Sequence, residues 1–370
     1  MNISPYLEAM ANQGASDLFI TVGFPVSAKI NGQLMPLDDV RLTDEMALEL
    51  VHSAMNDKQR DEFATTKECN FAVAVDGVGR FRCSAFWQRD LAGMVVRRIV
   101  TQIPKVESLG LPPVLKDIIM AKRGLILFVG ATGTGKSTSL AALIGHRNRN
   151  SRGHILTIED PIEFVHEHEN CVVTQREVGI DTRSFDDALK SSLRQAPDVI
   201  LIGEIRSMEI MEYAMSFADT GHLCVATLHA NNANQAIERI MHLAPPDQHE
   251  KLRFDLSLNM RAIVAQQLVP TIDGKGRMAA IEVLLNSPLV RDLIQRNEIG
   301  SLKEAMKKGR EMGMQSFDMA LYDLYKAGKV SMEQALHHAD SPNDLRLMIK
   351  LDSDQGNALG SLSNVSIDMD

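Results

Sequence analysis

The sequence predicts an α/β protein in which a parallel sheet, covered by helices on both faces, follows a small α+β domain. The first observation is a glycine-rich phosphate-binding pattern at residues 130–138, between an apolar run and a helical pattern. The second is the alternation of short apolar runs with helical stretches from residue 114 to 286, which is typical of parallel sheets. The third is a pair of hairpin signals within residues 1–100, which indicates a separate domain.

Residues 1–100 are predicted to form this small domain. Strand candidates are residues 17–22 and 94–100, and a helix is expected at 44–55, where apolar residues recur at helical spacing. Asn31-Gly32 and Asp76-Gly77 are each flanked by strand-like residues, and both dipeptides favour tight hairpin turns. The domain is therefore expected to mix hairpin-linked strands with helix.

The rest of the chain divides into four parts. Residues 101–113 are rich in proline and glycine and are interpreted as an interdomain linker. Residues 287–352 are predicted to be mostly helical, and residues 353–370 are polar and short of apolar anchors, which predicts a disordered tail. The nucleotide-binding core lies between, at 114–286, with strand candidates at 125–129, 154–158, 199–202 and 223–227.

The composition narrows the class of protein. The 370 residues carry a formal charge of −9, and this acidic balance argues against a nucleic-acid partner, which usually needs a basic surface. No apolar run approaches the roughly 18 residues that span a membrane, and the N-terminus lacks the pattern of a signal peptide. The 4 cysteines include no Cys-x-x-Cys pair, so we expect buried thiols rather than a zinc site. We therefore expect a cytoplasmic protein without a transmembrane segment.

The phosphate-binding loop is the most specific signal. It predicts a nest of backbone N–H groups that cradles phosphates, followed by a helix whose positive dipole end points at the same place. Lys136 can reach the β- and γ-phosphates, and the Ser137 hydroxyl can bind Mg²⁺. The expected cofactors are thus ATP and Mg²⁺, held by the loop residues Gly130, Ala131, Thr132, Gly133, Thr134, Gly135, Lys136, Ser137 and Thr138.

Two acidic segments follow predicted strands. The strand candidate at 154–158 is followed by Glu159, Asp160 and Glu163, and one carboxylate there could polarise the attacking water. Alternatively, Asp160 caps a helix that begins at Pro161, with Glu163 as the reciprocal capping glutamate. The strand candidate at 199–202 precedes Glu204, which fits a Walker-B strand with its acid near Mg²⁺; the alternative is an acid that merely ends a strand.

Histidines and arginines complete the candidate site. His222 and His229 lie at opposite ends of a predicted strand, roughly 20 Å long, so they cannot both bind one metal ion. Sensing the γ-phosphate and holding the subunit geometry are more natural roles for them. In the N-terminal domain, arginines suited to bidentate phosphate contact lie on neighbouring strand candidates, although a solvated basic face is the alternative. They are Arg80, Arg82, Arg97 and Arg98.

The order of these motifs identifies a family. The phosphate-binding loop is followed by Ile-Glu-Asp-Pro-Ile-Glu at 158–163, Gly-Glu-Ile-Arg at 203–206, and then Thr-Gly-His and Thr-Leu-His. This order resembles the secretion ATPases of type II and type IV pilus systems, over almost the whole chain. Chain length and the short N-terminal domain resemble the pilus-retraction branch, whereas the assembly branch typically carries a four-cysteine zinc element. One departure lies at 289–296, where Gln295-Arg296 replaces the Arg-Glu typical of that branch.

The resemblance implies a PAS-like N-terminal domain joined to a RecA-like ATPase domain with C-terminal helices. It makes Glu163 the favoured general base, with Glu159 second, and makes Glu204 the Walker-B acid that serves Mg²⁺ together with Ser137. It also implies a histidine pair and a set of arginine fingers, with Arg80 less favoured than its neighbours. These are His222 and His229, and Arg82, Arg97 and Arg98.

The function that the resemblance implies is ATP-driven removal of pilin subunits from a pilus base by a homo-hexamer. Expected partners are an inner-membrane platform protein of the pilus machine and a PilT-like paralogue, with the chain peripheral at the cytoplasmic side of the inner membrane. The arginines of one subunit are expected to complete the active site of another. Two alternatives stay open, namely an assembly or secretion ATPase of the same family and an accessory ATP-binding subunit of a retraction motor.

Overall fold

The computed structural model describes residues 1–30, 32–99 and 102–362, with side chains described as far as Asp352. The chain forms two compact units. The first consists of Met1–Ile103 together with Glu159–Glu167 and Gln175–Ala188, and the second contains the remaining chain. The first boundary, after Ile103, lies within the predicted linker. The assignment of 159–167 to the first unit differs from the sequence-based division, which places this segment in the nucleotide-binding core.

The first unit contains a six-stranded antiparallel sheet in the order β3-β2-β1-β6-β5-β4. Both predicted hairpins are present. Ile30 pairs with Gln33 in the first, whose turn residue Asn31 lies outside the described residues, and Val75 pairs with Gly79 in the second. The strands are β1 Asp17–Ile20, β2 Pro25–Ile30, β3 Gln33–Arg41, β4 Glu68–Val75, β5 Gly79–Gln88 and β6 Leu91–Ile99.

Three helices accompany this sheet, and the core between them is apolar. The predicted helix is α2, which begins after its N-cap residue Thr43. The sequence-based reading missed α3, although Asn56 and Gln59 form a complete capping box there. Fully buried Phe63, Phe71 and Phe81 belong to the core of this unit. The helices are α1 Ser4–Asn12, α2 Asp44–Ser53 and α3 Asp57–Thr66.

The second sheet has seven strands in the order β13-β12-β7-β11-β10-β8-β9. The strands β8, β10, β11, β7 and β12 are parallel to their neighbours in that series, and β13 is antiparallel to β12. Each of the four predicted strands is present, because buried parallel strands appear in the sequence as continuous apolar runs. The strands are β7 Gly124–Val129, β8 Gly153–Glu159, β9 Cys171–Glu177, β10 Val199–Ile202, β11 Leu223–Leu228, β12 Met260–Pro270 and β13 Arg277–Leu285.

The helices after residue 113 include the predicted C-terminal group. Serines 287, 316 and 331 each accept a backbone hydrogen bond as N-cap residues, which fixes where three of these helices begin. The helices are α4 Val114–Ile119, α5 Lys136–Asn150, α6 Phe185–Ser192, α7 Met208–Asp219, α8 Ala233–Met241, α9 His249–Asn259, α10 Pro288–Gln295, α11 Leu302–Lys308, α12 Phe317–Lys326, α13 Met332–His338 and α14 Pro342–Leu362.

Helix α14 extends to Leu362 and so includes the first part of the segment that the sequence predicts to be disordered from Ser353. The physical reason for this continuation is that adding a residue to an existing helix costs far less free energy than starting a new helix. The rest of that segment, 363–370, lies outside the described residues. Within 1–30, 32–99 and 102–362, no helix is both long and apolar enough to cross a membrane.

Candidate active site

The phosphate-binding loop joins the interior strand β7 to helix α5, which begins at Lys136. Gly133 and Gly135 have φ of +80° and +86°, values that favour glycine. A Cβ at Gly135 would lie 2.8 Å from Gln266 Nε2, and one at Gly130 would lie 2.6 Å from both Gln266 O and Thr134 Oγ1. The predicted glycine pattern is therefore required by the close approach of β12 as well as by the turn.

The loop is held in shape by its own polar groups. Lys136 Nζ donates to Gly130 O at 2.6 Å and to Ala131 O at 2.8 Å. Thr134 Oγ1 donates to Ala131 O at 2.9 Å, and Gln266 Nε2 donates to Thr134 O at 2.9 Å. This arrangement places the ammonium group at the centre of the loop, where a phosphate chain would meet it.

Ser137 occupies the second position of α5, among the N–H groups that an α-helix leaves unpaired in its first turn. Ser137 and Thr138 are half-buried, and Thr132, earlier in the loop, is exposed. A hydroxyl and several unpaired N–H groups at a helix N-terminus suit an anion and its accompanying metal ion. The residues present therefore fit the expected nucleotide and Mg²⁺.

Glu204 and His229 are brought together after two adjacent strands. β10 and β11 are parallel neighbours, so the residues that follow them meet at one edge of the sheet. His229 Nε2 lies 3.1 Å from Glu204 Oε1, and Arg206 Nε donates to Glu204 Oε2 at 2.6 Å. Thr227 Oγ1 also donates to Gly203 O. Glu204 is thus a partly buried carboxylate whose two oxygens are each held by a neighbouring side chain.

His222 lies at the other end of β11. Its backbone oxygen accepts a hydrogen bond from the N–H of Gly124, the first residue of β7, and its ring Nδ1 lies 3.2 Å from Thr220 Oγ1. His222 is therefore beside the first residue of β7, whereas the phosphate-binding loop follows the last residue of β7. His222 and the loop lie at opposite ends of the parallel strands. The structure does not bring His222 and His229 together, because six strand residues separate them.

The predicted alternative for Asp160 is wrong. No helix begins at Pro161, since residues 160–167 contain no helical residue, and Asp160 and Glu163 cannot form a capping box there. The segment 159–167 belongs to the first unit, and after the last residue of β8 its backbone is irregular. Glu163 is exposed, and within the described chain its carboxylate makes no hydrogen bond or ion pair, which leaves it available to accept a proton.

Two residues of β9 that the sequence-based reading missed hold this segment. Glu177, 2% exposed, accepts a hydrogen bond from Ile162 N–H at 3.1 Å through Oε2. Gln175 Nε2 donates to Phe164 O at 2.9 Å and to Glu159 Oε1 at 3.2 Å. The only sequence signal for them is a pair of polar residues in a strand that also contains buried apolar positions.

The arginine candidates divide between the two faces of the first sheet. Arg82 and Arg97 are directly opposite each other in the β5–β6 pair, and Arg80 is on the same face, two residues along β5. Arg82 Nε lies 3.9 Å from Glu177 Oε1, and Arg97 Nε lies 2.9 Å from Asp17 Oδ1. Arg98, on the other face, donates through Nη1 to Ala11 O at 3.0 Å.

A buried carboxylate lies under the helix that follows His229. Glu282 of β13 is 0% exposed and accepts a hydrogen bond from Ala233 N–H, the first residue of α8, at 2.8 Å. The pKa of Glu282 is raised from 4.5 to about 7, chiefly by burial and in addition by the carboxylate of Asp340. Lys303, which pairs with Asp340 at 2.7 Å, and the Ala233 N–H act in the opposite direction.

Comparison with known proteins extends these observations. Residues 2–319 match the family model described as "Type II/IV secretion system protein". The chain is 61% identical over 354 residues to the type IV pilus ATPase PilU of Pseudomonas aeruginosa, covering 96% of this chain and 93% of that protein. It is 40% identical over 344 residues to the retraction ATPase PilT of the same organism, covering 93% of this chain and 100% of PilT.

Solved structures give the same result. A crystal structure of the pilus retraction motor PilT with bound ADP matches with a TM-score of 0.87 and 39% identity, covering 94% of this chain and 99% of that one. The predicted α/β fold, the predicted ATPase and the predicted likeness to the retraction branch are confirmed. The segment Ser341–Lys350 also indicates likeness to PilU within that branch, and the 61% identity bears this out. The chain belongs to the Type II/IV secretion system protein family.

Proposed function

We propose that this chain hydrolyses ATP to drive or assist the retraction of type IV pili, which powers twitching motility. The observation that carries the proposal is the ordered phosphate-binding loop beside the Glu204–His229 pair, in a chain 61% identical to PilU. A subunit that binds ATP without hydrolysing it would not need an oriented Glu204 carboxylate.

The second unit supplies the groups that hold the nucleotide. Backbone N–H groups of the loop and the Lys136 ammonium bind the phosphates, and the ammonium exchanges its bonds to Gly130 O and Ala131 O for phosphate oxygens. Ser137 and Glu204 hold Mg²⁺, which neutralises phosphate charge when bound. His229, bonded to Glu204, orients that carboxylate and senses the γ-phosphate.

The groups that handle the proton and the developing charge are carboxylates and arginines. Glu163 accepts a proton from the attacking water, and its carboxylate, which is exposed and has no partner within the part of the chain that the structure describes, supports this role. Glu159 is the second candidate, although one of its oxygens already accepts from Gln175. Arg82, Arg97 and Arg98 are the candidate arginine fingers; Arg82 and Arg97 share one face of the sheet, and Arg98 is on the other.

The larger assembly is a homo-hexamer at the cytoplasmic side of the inner membrane, in contact with the platform protein of the pilus. The arginines of one subunit act at the nucleotide of another, and His222, away from the loop edge, holds the subunit geometry. Gln295-Arg296 differs from the sequence typical of the retraction branch, which favours a motor that works together with a PilT-like paralogue.

A complementation experiment tests the proposal. In a strain that lacks this gene, the wild-type chain should restore twitching and normal surface piliation, and Lys136→Ala should restore neither. Purified Lys136→Ala should also release no phosphate above background. Reduced surface piliation in the deletion strain would instead favour the assembly ATPase, and normal retraction with Lys136→Ala would favour the accessory, non-hydrolysing subunit.

A further inference from the structure

Strand β9 places two polar side chains on one face, and both bind the segment that contains Glu163. Gln175 and Glu177 are two residues apart, so their side chains point the same way. Glu177 Oε2 accepts a hydrogen bond at 3.1 Å from the N–H of Ile162, the residue before Glu163. Gln175 Nε2 donates a hydrogen bond at 2.9 Å to the carbonyl oxygen of Phe164, the residue after Glu163. The backbone of Glu163 is therefore held on both sides.

Gln175 fixes the segment further along as well. Its Oε1 accepts from His166 N–H at 2.7 Å while its Nε2 donates to Phe164 O, so one amide closes the turn with both of its polar ends. The same Nε2 reaches Glu159 Oε1 at 3.2 Å. This contact restrains the carboxylate of Glu159, whereas among the described residues no hydrogen bond or ion pair restrains that of Glu163.

Burying the Glu177 carboxylate beside this segment costs free energy of desolvation. Its side chain is buried, with the residue only 2% exposed, and a buried carboxylate is tolerated where hydrogen bonds or charges compensate for its desolvation. One oxygen takes the Ile162 N–H, and the other faces Arg82 Nε at 3.9 Å, too far for a direct hydrogen bond. A neutral apolar residue would fill this space at lower cost if packing alone were needed.

The backbone of Glu177 is itself rigid. Its N–H donates to Asp181 Oδ2 at 2.9 Å, and its carbonyl oxygen accepts from Asp181 N–H at 2.8 Å. Val178 N–H donates to Glu159 O at 2.9 Å, which joins the end of β9 to the start of the segment 159–167 that contains Glu163. The carboxylate is therefore presented from a fixed frame.

We propose that Glu177, assisted by Gln175, is a positioning residue for hydrolysis, because it holds the backbone of Glu163 through the Ile162 N–H. The proposal rests on the proposed function, in which Glu163 is the general base. Glu177 does not touch the reacting atoms; it acts through Glu163. Misplacement of a catalytic group by about 1 Å can lower a rate roughly a hundredfold, so the loss of this hydrogen bond should be visible in kcat.

The test compares three purified full-length variants for kcat and for the KM of ATP. Glu177→Ala should lower kcat by about tenfold to a hundredfold with little change in KM, because the phosphate-binding groups are untouched. Glu177→Gln keeps an oxygen that can accept from Ile162 N–H, and it should stay within about threefold of wild type. Glu68→Ala, which removes an exposed carboxylate of the same unit, is the control and should not change kcat.

A double variant distinguishes positioning from general structural support. Glu163→Gln alone should lower turnover by about 10²–10⁴. Adding Glu177→Ala should then change single-turnover hydrolysis by less than about twofold, because no base remains to be misplaced. A further tenfold loss in the double variant would show that Glu177 acts elsewhere and would overturn the proposal, as would a Glu177→Gln as slow as Glu177→Ala.

The two proposals fail in different ways. If Glu163→Gln turns over at the wild-type rate, the base is misassigned. If Glu163→Gln is slow and Glu177→Ala is fast, only the positioning role is wrong. Should Glu177→Ala melt below the assay temperature, Gln175→Ala replaces it, since it removes the contacts to Phe164 O and His166 N–H; wild-type kcat in that variant would overturn the proposal.

Discussion

Replacing Glu282 by glutamine should make the second unit more stable above neutral pH. The Glu282 carboxylate is fully buried and its pKa is raised from 4.5 to about 7, chiefly by burial. In the folded protein it therefore keeps its proton to a higher pH than in the unfolded chain. The stability that this proton contributes is fully present below pH 4.5 and is lost as the pH rises towards 7.

The size of the effect follows from the rise in pKa. Since one pH unit corresponds to about 1.4 kcal/mol, the rise costs the folded state about 3 kcal/mol at pH 8, of which about 2 kcal/mol appears between pH 5.5 and 8. In Glu282→Gln, the amide oxygen can still accept from Ala233 N–H, and the side chain at position 282 no longer titrates. The variant should thus gain about 2 kcal/mol relative to wild type over that pH range.

Hydrogen exchange of peptides from α8 and β13, at several pH values, measures this local stability directly. Tryptophan fluorescence would not serve, because the single tryptophan, Trp87, is in the first unit. Glu298→Gln, at an exposed position of the same unit, is the matched control and should leave the pH dependence unchanged. Parallel pH profiles for wild type and Glu282→Gln would refute the reasoning.

Three further changes have defined outcomes. Gly135→Ala should weaken ATP binding at least tenfold in a fluorescent-nucleotide titration, because its φ is +86° and its Cβ would meet Gln266 Nε2 at 2.8 Å; unchanged affinity would contradict the loop geometry. Arg97→Ala should lower ATP turnover by about 10³ or more, as expected for loss of an arginine finger. It should change the free energy of unfolding by under ~1 kcal/mol, because the Arg97 side chain that pairs with Asp17 is 71% exposed. Wild-type turnover in this variant would show that Arg97 is not part of the active site. Truncation after Asp352 should leave the elution volume and ATPase rate unchanged, and a smaller particle would show that the tail assembles the ring.

The central strands of the second sheet were predictable because each is a continuous apolar run. Strand β9 was not, since its apolar run Cys171–Val173 is only three residues long and is followed by the four polar residues 174–177. Strands β12 and β13 were missed for a related reason: Gln266 in β12 and Glu282 in β13 interrupt the apolar character of these strands. Both interruptions turn out to be buried polar residues with structural partners.

The phosphate-binding loop was predictable because its chemistry is local. The residues that hold it or hold Glu163 are distant in sequence, since Gln266 is 132 residues from its partner Thr134 and Glu177 is 15 residues from Ile162. Such contacts depend on which strands become neighbours, and no single segment specifies that. The meeting of Glu204 with His229 was foreseeable only as far as the order of β10 and β11 could be guessed.

The segment after β8 shows the limit of local rules. Asp160, Pro161 and Glu163 match a helix N-terminus by residue type, yet no helix forms there. The N–H groups of this segment bond instead to side chains of β9, and these tertiary hydrogen bonds replace the ones that a helical turn would have made. A capping pattern in the sequence thus indicates only that a segment can start a helix when no tertiary hydrogen bonds compete.

The most direct test of the account measures ATP binding and phosphate release for Glu163→Gln and Glu159→Gln side by side. We expect Glu163→Gln to bind ATP with wild-type affinity and to turn over about 10²–10⁴ times more slowly. Glu159→Gln, whose carboxylate oxygen already accepts from Gln175, should lose less than about tenfold. A fast Glu163→Gln beside an inactive Glu159→Gln would contradict the assignment of the base, and wild-type turnover in both would contradict the proposed mechanism as a whole.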